Sequence, residues 1–271
     1  MGLPYAEVIG DPIVHSKSPL IHNQWLARLG IEGEYRATQV RADELSGYFE
    51  KRRHDPDWRG CNVTIPHKEA SLKHLSALEP TANAVGAVNC IVPRAEGLFG
   101  YNSDVDGVAA ALSGIVLDQA TVAIVGGGGA ARAAVIYLAQ QQVSAINVLV
   151  RDPDRAQKLK VLAAAGVVNI GAINEASKFL EGAKVVINAS PLGMSGCPEM
   201  SPKVIVAVKD HPAAVLFDMV YDPVTTTFLS AGGSQRIGGM SMLVGQAARA
   251  FELFFGASPR IAELDGVALS A

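Results

Sequence analysis

The chain has 271 residues, enough for one large or two modest domains, and its 49% hydrophobic and 18% charged content is that of a soluble α/β protein. A net charge of -3, with both signs mixed along the chain, excludes the basic excess that a nucleic-acid partner needs. No apolar run approaches the ~18 residues of a membrane span, and three scattered cysteines, Cys61, Cys90 and Cys197, argue against a disulfide framework or a zinc site.

The N-terminal part alternates strand-like and helix-like segments. Ala6 to Gly10 reads as a short strand ending in a turn. Pro19 suits the first turn of a helix running to Leu29 and stopped by Gly30. Glu34 to Val40 reads as a second strand, and Asp43 is placed to cap a helix through Lys51. Gly60 to Ile65 reads as a third strand and Pro66 opens another helix. Val88 to Tyr101 looks like a hairpin around Glu96-Gly97.

The second half is more regular. Thr121 to Val125 is a continuous apolar run of the kind buried in a parallel sheet. Four glycines follow, then the helical stretch Ala130 to Gln140 and the strand Ala145 to Val150. A helix from Asp154 to Ala165, a strand from Val167 to Ile173, and strands at Lys184 to Asn188 and Ala214 to Phe217 complete an alternation that implies a doubly wound parallel sheet. The amphipathic segment Ser241 to Phe255, with Leu243, Ala247, Phe251 and Phe254 on its apolar face, is expected to pack back on the N-terminal part. The domain boundary is placed just after Asp104, in the helical segment Val105 to Leu112. The expected domains are residues 1–104 with 240–271, and residues 105–239.

Gly126-Gly127-Gly128-Gly129-Ala130 fits a dinucleotide-binding loop between a strand and a helix. The small residues let backbone N–H groups approach a pyrophosphate. Past the next strand come Arg151 and Arg155, whose guanidiniums suit the 2′-phosphate of NADP. Asp152 and Asp154 leave NAD open.

Two further segments carry small hydrogen-bonding side chains beside one charged group: Asn62-Val63-Thr64-Ile65-Pro66-His67-Lys68 and Tyr101-Asn102-Ser103-Asp104. A Lys/Asp pair beside a dinucleotide loop suits proton transfer coupled to hydride transfer. Read singly, Lys68 is an ordinary helix-start lysine and Asp104 a helix cap. No histidine spacing suggests a metal, and none is expected. The scattered, odd-numbered cysteines fit a reducing cytoplasm, and no signal peptide is expected, since the start has no basic region followed by an apolar stretch.

These segments resemble the shikimate dehydrogenase family, and the resemblance runs from about residue 6 to residue 260. It is carried by His15-Ser16-Lys17-Ser18-Pro19, Asn62 to Lys68, Gly86-Ala87-Val88-Asn89, Asn102-Ser103-Asp104, the glycine loop, Ile187 to Met194, Asp218-Met219-Val220-Tyr221 and Met242-Leu243-Val244-Gly245-Gln246. The fold it implies is α/β, with an N-terminal substrate domain and a Rossmann-type dinucleotide-binding domain. The activity it implies is NADPH-dependent reduction of 3-dehydroshikimate to shikimate, on the route to aromatic amino acids. Lys68 and Asp104 are then the catalytic pair. Ser16 and Ser18 bind the substrate carboxylate with Tyr221 nearby, and Asn62, Thr64, Asn89 and Gln246 hold the ring hydroxyls. Met219 and Gly239 line the nicotinamide site. His67, Ser241, Asp106 and Asp152 depart from the commonest family pattern, and paralogues in the family act on quinate or on amino analogues of shikimate, some with NAD. Small-molecule ligands, no nucleic acid, no membrane, and a monomer or homodimer are expected.

Overall fold

The computed structural model describes residues 2–260 as a mixed α/β fold with two six-stranded sheets. Residue 1 and residues 261–271 of the expected domains lie outside the described residues. The chain divides into two compact units, one running to Asp106 and resuming at Val244, the other Gly107–Leu243. Both changes of unit fall inside helices, Asp104–Ala111 and Gly239–Phe255.

The strands of the first unit are β1 (Tyr5–Gly10), β2 (Glu34–Gln39), β3 (Trp58–Val63), β4 (Ala77–Leu78), β5 (Cys90–Arg94) and β6 (Gly97–Tyr101). Their order is β2-β1-β3-β5-β6-β4. The first three are parallel, and β5 and β6 form the antiparallel hairpin expected around Glu96-Gly97. The helix Ser18–Leu29 has Pro19 in its first turn and ends at Gly30, whose φ of 63° is the left-handed conformation that glycine adopts without strain. Alternation along β1 sends Tyr5 and Ile9 to one core and Ala6 and Val8 to the other. The helix Gly239–Phe255 closes the second core: Ala250 and Phe254 pack with Ala6, Val8, Tyr35 and Cys90.

Glu7 interrupts that apolar strand and is fully buried. Its carboxylate accepts from Arg52 Nε (2.6 Å) and Nη2 (3.2 Å), from the Tyr48 hydroxyl (2.8 Å), and from the Thr38 hydroxyl. A buried charge is tolerated only when paired and hydrogen-bonded in this way. Arg52→Met is expected to cost about 3–5 kcal/mol in a urea titration, because it strands the carboxylate. A loss below about 1 kcal/mol, the range of an exposed ion pair, would show that the pair holds nothing together.

In the second unit β7 (Thr121–Val125), β8 (Ala145–Val150), β9 (Val168–Ala172), β10 (Ala183–Asn188), β11 (Val215–Asp218) and β12 (Gln235–Ile237) are all parallel, in the order β12-β11-β10-β7-β8-β9. Val122 and Ile124 of β7 face one core, Ala123 and Val125 the other, which is why consecutive residues are apolar. The strand order reverses between β7 and β10, and sheets of this kind bind ligands beyond the strand C-termini at that point.

Several local expectations fail. Asp43 caps nothing: the helix is Leu45–Arg52 and follows Glu44, whose carboxylate takes the Arg41 N–H (2.9 Å) while Asp43 lies 3.7 Å from the Arg41 guanidinium. The helix expected from Asp154 to Ala165 is one α-turn, Pro153–Ala156, followed by a 3₁₀ stretch, Gln157–Leu162. Only Ala156 and Leu159 are buried there, too little apolar contact to hold three α-turns. Pro66 precedes only the four-residue helix His67–Ala70. The helices Pro80–Val85 and Pro202–Asp210, and the short strands β4 and β12, were not anticipated. No described helix is long and apolar enough to cross a membrane.

Candidate active site

β1 and β3 are parallel neighbours, so their C-terminal ends deliver two loops to one edge of the first sheet. The loop after β1 carries Ser16 and runs into the helix that begins at Ser18, and the loop after β3 carries Thr64 and runs into the short helix His67–Ala70 that holds Lys68. The two loops are tied together: Thr64 N–H donates to Ile9 O (2.9 Å) and Asp11 N–H to Ile65 O (3.1 Å). His67 is buried and its Nε2 donates to Val40 O (2.5 Å), so it braces the loop. Lys68 is pinned at its backbone, where its carbonyl accepts from Val88 N–H (3.0 Å).

Lys68 Nζ donates to Asp104 Oδ2 at 2.6 Å. The lysine side chain is 26% exposed and that of Asp104 7%, so the pair is partly open on the lysine side and buried on the carboxylate side. Asp104 is held from three directions. Its own N–H donates to Asn102 Oδ1 (3.0 Å), and its Oδ1 accepts from Asn89 Nδ2 (2.8 Å). Asn102 is fixed in turn by donating to Ala87 O (2.9 Å).

Asn89 is nearly saturated inside the protein. Beyond Asp104 it donates to Ser103 Oγ (3.1 Å), and its Oδ1 accepts from Ser103 N–H (2.7 Å). Gln246, on the helix Gly239–Phe255, completes the cluster with its Oε1 3.3 Å from Ser103 Oγ and 3.5 Å from Asn89 Nδ2. Asn62 is buried, takes the Tyr35 hydroxyl on Oδ1 (2.6 Å) and donates from Nδ2 to Asn89 O (2.9 Å). Lys68, Asp104, Asn62, Asn89 and Gln246 therefore share one hydrogen-bonded array. Ser103 and Tyr35, assigned no role from the sequence, belong to it.

Ser16 and Ser18 stand at the start of the helix Ser18–Leu29. Ser16 Oγ accepts from Ser18 N–H (3.3 Å), and the N-cap residue Lys17 offers the helix no side-chain acceptor. Two hydroxyls at a helix N-terminus suit a carboxylate. His15 is exposed.

In the second unit the glycine loop joins β7 to the helix Gly129–Gln140. Gly126 has φ +121°, and a Cβ there would lie 2.8 Å from Ala189 O. A Cβ on Gly127 would lie 3.0 Å from Val150 Cγ1. Gly128 is the N-cap, makes no side-chain cap, and has nothing within 4 Å of an added Cβ. The N-terminus of this helix therefore carries no side-chain cap and has room beside Gly128, which suits a pyrophosphate. Arg151 and Arg155 are exposed after β8, without an ionic partner among the described residues. Asp152 is committed to its helix: its Oδ1 accepts from Arg155 N–H (3.3 Å).

A third buried array lies at the ends of β10 and β11. Asp218 Oδ1 accepts from Asn188 Nδ2 (2.9 Å) and Val220 N–H (3.0 Å), and Oδ2 from the Thr226 hydroxyl (2.5 Å). Burial pushes the Asp218 carboxyl up, while these three donors pull it back. The array shapes the segment of Met219 and Tyr221, which are both half-buried; burial also raises the Tyr221 phenol. A Cβ on Gly239 would lie 2.5 Å from Met219 O, so only glycine fits against that backbone.

Three family models match successive parts of the chain: a shikimate dehydrogenase substrate-binding domain at residues 8–91, a shikimate/quinate 5-dehydrogenase at 108–195, and a shikimate 5′-dehydrogenase C-terminal domain at 239–263. A shikimate dehydrogenase (NADP(+)) of Sphingopyxis alaskensis is 44% identical over 260 residues, covering 94% of this chain and 92% of its own. A crystal structure of shikimate 5-dehydrogenase from Thermus thermophilus with NADP(H) and shikimate superposes with a TM-score of 0.83 at 31% identity, over 98% of each chain. One from Listeria monocytogenes with shikimate and NAD gives 0.85 at 29%, over 96% of this chain and 94% of its own. Identity of this level over nearly the whole length, on the same order of elements, places the chain in the shikimate dehydrogenase family.

Proposed function

We propose that the protein is an NADP-dependent shikimate dehydrogenase that interconverts 3-dehydroshikimate and shikimate, a step toward the aromatic amino acids. The observation that carries this reading is the 2.6 Å contact of Lys68 with Asp104 inside a fixed amide cluster. The names and bound ligands of the relatives support it. We assign the substrate and the proton chemistry to the first unit and the cofactor to Gly107–Leu243. Buried, unpaired Cys61 and Cys90 favour a reducing cytoplasm as its location.

NADPH, when bound, supplies the hydride that reduces the ketone carbon. The protein's own task is to place the substrate and to move one proton. Lys68 donates a proton to the substrate oxygen as it gains charge, and in the oxidation direction Lys68 withdraws it. Asp104 holds the ammonium in line, and Asn89 and Asn102 fix the carboxylate that does so. Ser16 and Ser18 take the substrate carboxylate, and Tyr221 is assigned to substrate binding. Thr64, Gln246 and the remaining N–H of Asn62 read the hydroxyls; such an array of neutral donors and acceptors suits a polyhydroxy ring. Gly126 to Gly129 and Ala130 would cradle the pyrophosphate, Arg151 and Arg155 the 2′-phosphate, and Met219 and Gly239 the nicotinamide.

Initial rates at 340 nm with shikimate or quinate, each against NADP+ and NAD+, test the reading. Shikimate with NADP+ is expected to give the highest kcat/KM, and a higher value for quinate with NAD+ would overturn it. The arginines make a separate prediction. Arg151→Ala and Arg155→Ala should each raise KM for NADP+ about tenfold or more and leave that for NAD+ within about twofold, since a hydrogen bond to a charged group is worth ~1.5–3 kcal/mol. Equal losses with both cofactors would remove them from 2′-phosphate recognition.

A further inference from the structure

We infer that Tyr35 is a positioning residue for substrate binding: its hydroxyl locks the Asn62 amide so that one N–H is presented to an oxygen of the bound ring. The inference rests on the assignment of Asn62 to the substrate.

Tyr35 lies on the edge strand β2, two strands from Asn62 on β3. Its neighbour across the sheet is Ala6, and Ala6 in turn pairs with Gly60. Neither has a side chain long enough to stop the phenol, which crosses β1 and reaches Asn62 Oδ1 at 2.6 Å. The reach is fixed at its base. Asn23 grips the Tyr35 backbone from both sides, accepting from its N–H and donating to its carbonyl, each at 2.8 Å. The ring stacks on His22 with centroids 3.9 Å apart and planes 9° apart. Burial pushes His22 down to about 3, so the stack is with a neutral imidazole.

The direction of each hydrogen bond follows from what each group can do. The Asn89 carbonyl only accepts, so Asn62 must turn Nδ2 toward it. That leaves Oδ1 facing Tyr35, and the phenol must donate. Burial holds Tyr35 well above the usual phenol range, so this donor persists at working pH. With Oδ1 taken by Tyr35 and one N–H taken by Asn89, a single N–H remains without a protein partner among the described residues. Donation into Oδ1 also polarises the amide and strengthens that N–H as a donor. The Asn89 end of the clamp leads on to Asp104, so the same amide ties substrate recognition to the proton-transfer pair.

The test is steady-state kinetics of Tyr35→Phe, Asn62→Ala and the double variant. Tyr35→Phe removes one oxygen and keeps the stacked ring. KM for shikimate should rise about tenfold, the order expected when a buried acceptor loses its donor. KM for NADP+ should not move. In the double variant Tyr35→Phe should add nothing to the effect of Asn62→Ala, because both act through one amide. A hydroxyl with only a structural role would lower Tm and leave KM for shikimate at its wild-type value; that result, or additive effects in the double variant, overturns the inference while the assignment of Asn62 stands. An unchanged KM in Asn62→Ala would instead overturn that assignment, and the inference with it.

Discussion

Replacing Lys68 with alanine should lower kcat for shikimate oxidation by about 10²–10⁴, the range that positioned general acid–base catalysis supplies. Lys68 reaches Asp104 Oδ2 at 2.6 Å with its side chain 26% exposed, so removing it empties no core. Asp104 keeps its bonds to Asn89 and Asn102. The thermal transition should therefore shift little. KM for shikimate should change less than kcat, because the lost interaction is strongest when charge develops on the substrate oxygen. The check is kcat and KM with saturating NADP+, beside a circular dichroism melt. A variant with near-wild-type kcat would take the proton away from Lys68. A variant that is inactive because it is unfolded would show it in the melt.

The glycine loop should separate fold from function when two of its positions are compared. Gly126→Val places a side chain at φ +121° and against Ala189 O, where a Cβ would sit at 2.8 Å. Strained backbone of this kind costs about 1–3 kcal/mol, so stability should fall along with cofactor binding. Gly128 is different. It has φ -83°, which any residue adopts, and an added Cβ meets nothing within 4 Å. Gly128→Asp should fold as well as the parent or slightly better, because an aspartate at that position can cap the helix N-terminus. It should nonetheless raise KM for NADP+ by about 100-fold or more, because the new carboxylate occupies N–H groups intended for the pyrophosphate and repels its charge. Binding of shikimate alone, followed by calorimetry, should survive. A Gly128→Asp variant that keeps its cofactor affinity would place the pyrophosphate elsewhere.

Strands buried on both faces read clearly from the sequence. β7 and β8 have the expected bounds, and β10 starts one residue before its own, because a run of valine and isoleucine ended by glycine or a polar residue has few other solutions. Short helices read poorly. Asp43 had the right residue type for a cap and the wrong neighbours, since Arg41 draws both nearby carboxylates to itself. The stretch after Asp152 has helical composition, yet it buries only two side chains and tightens into 3₁₀ geometry. β4 is two residues long and carries no periodicity to read.

The candidate site divides along the same line. Residue types and spacing singled out the four glycines and the two arginines as candidates, whereas Lys68 and Asp104 took their candidate roles from the family resemblance, since a lone lysine or aspartate at a helix start has an ordinary reading. Tyr35, Ser103 and the Asp218–Asn188–Thr226 array were not legible, since a tyrosine on an edge strand or a threonine in a loop has no local signature of purpose. Their roles come from register. Tyr35 meets Asn62 only because β1 lies between their strands with alanine at the crossing point, and Asp218 meets Asn188 because β10 and β11 pair in step. The sequence by itself determined the class of fold and, with the family resemblance, the candidate reactive pair and cofactor loop, because these rest on side-chain chemistry and short-range pattern. Only the tertiary structure decided which amides are spent inside the protein and which remain for a ligand, because hydrogen-bond capacity is shared among residues that the chain brings together from far apart.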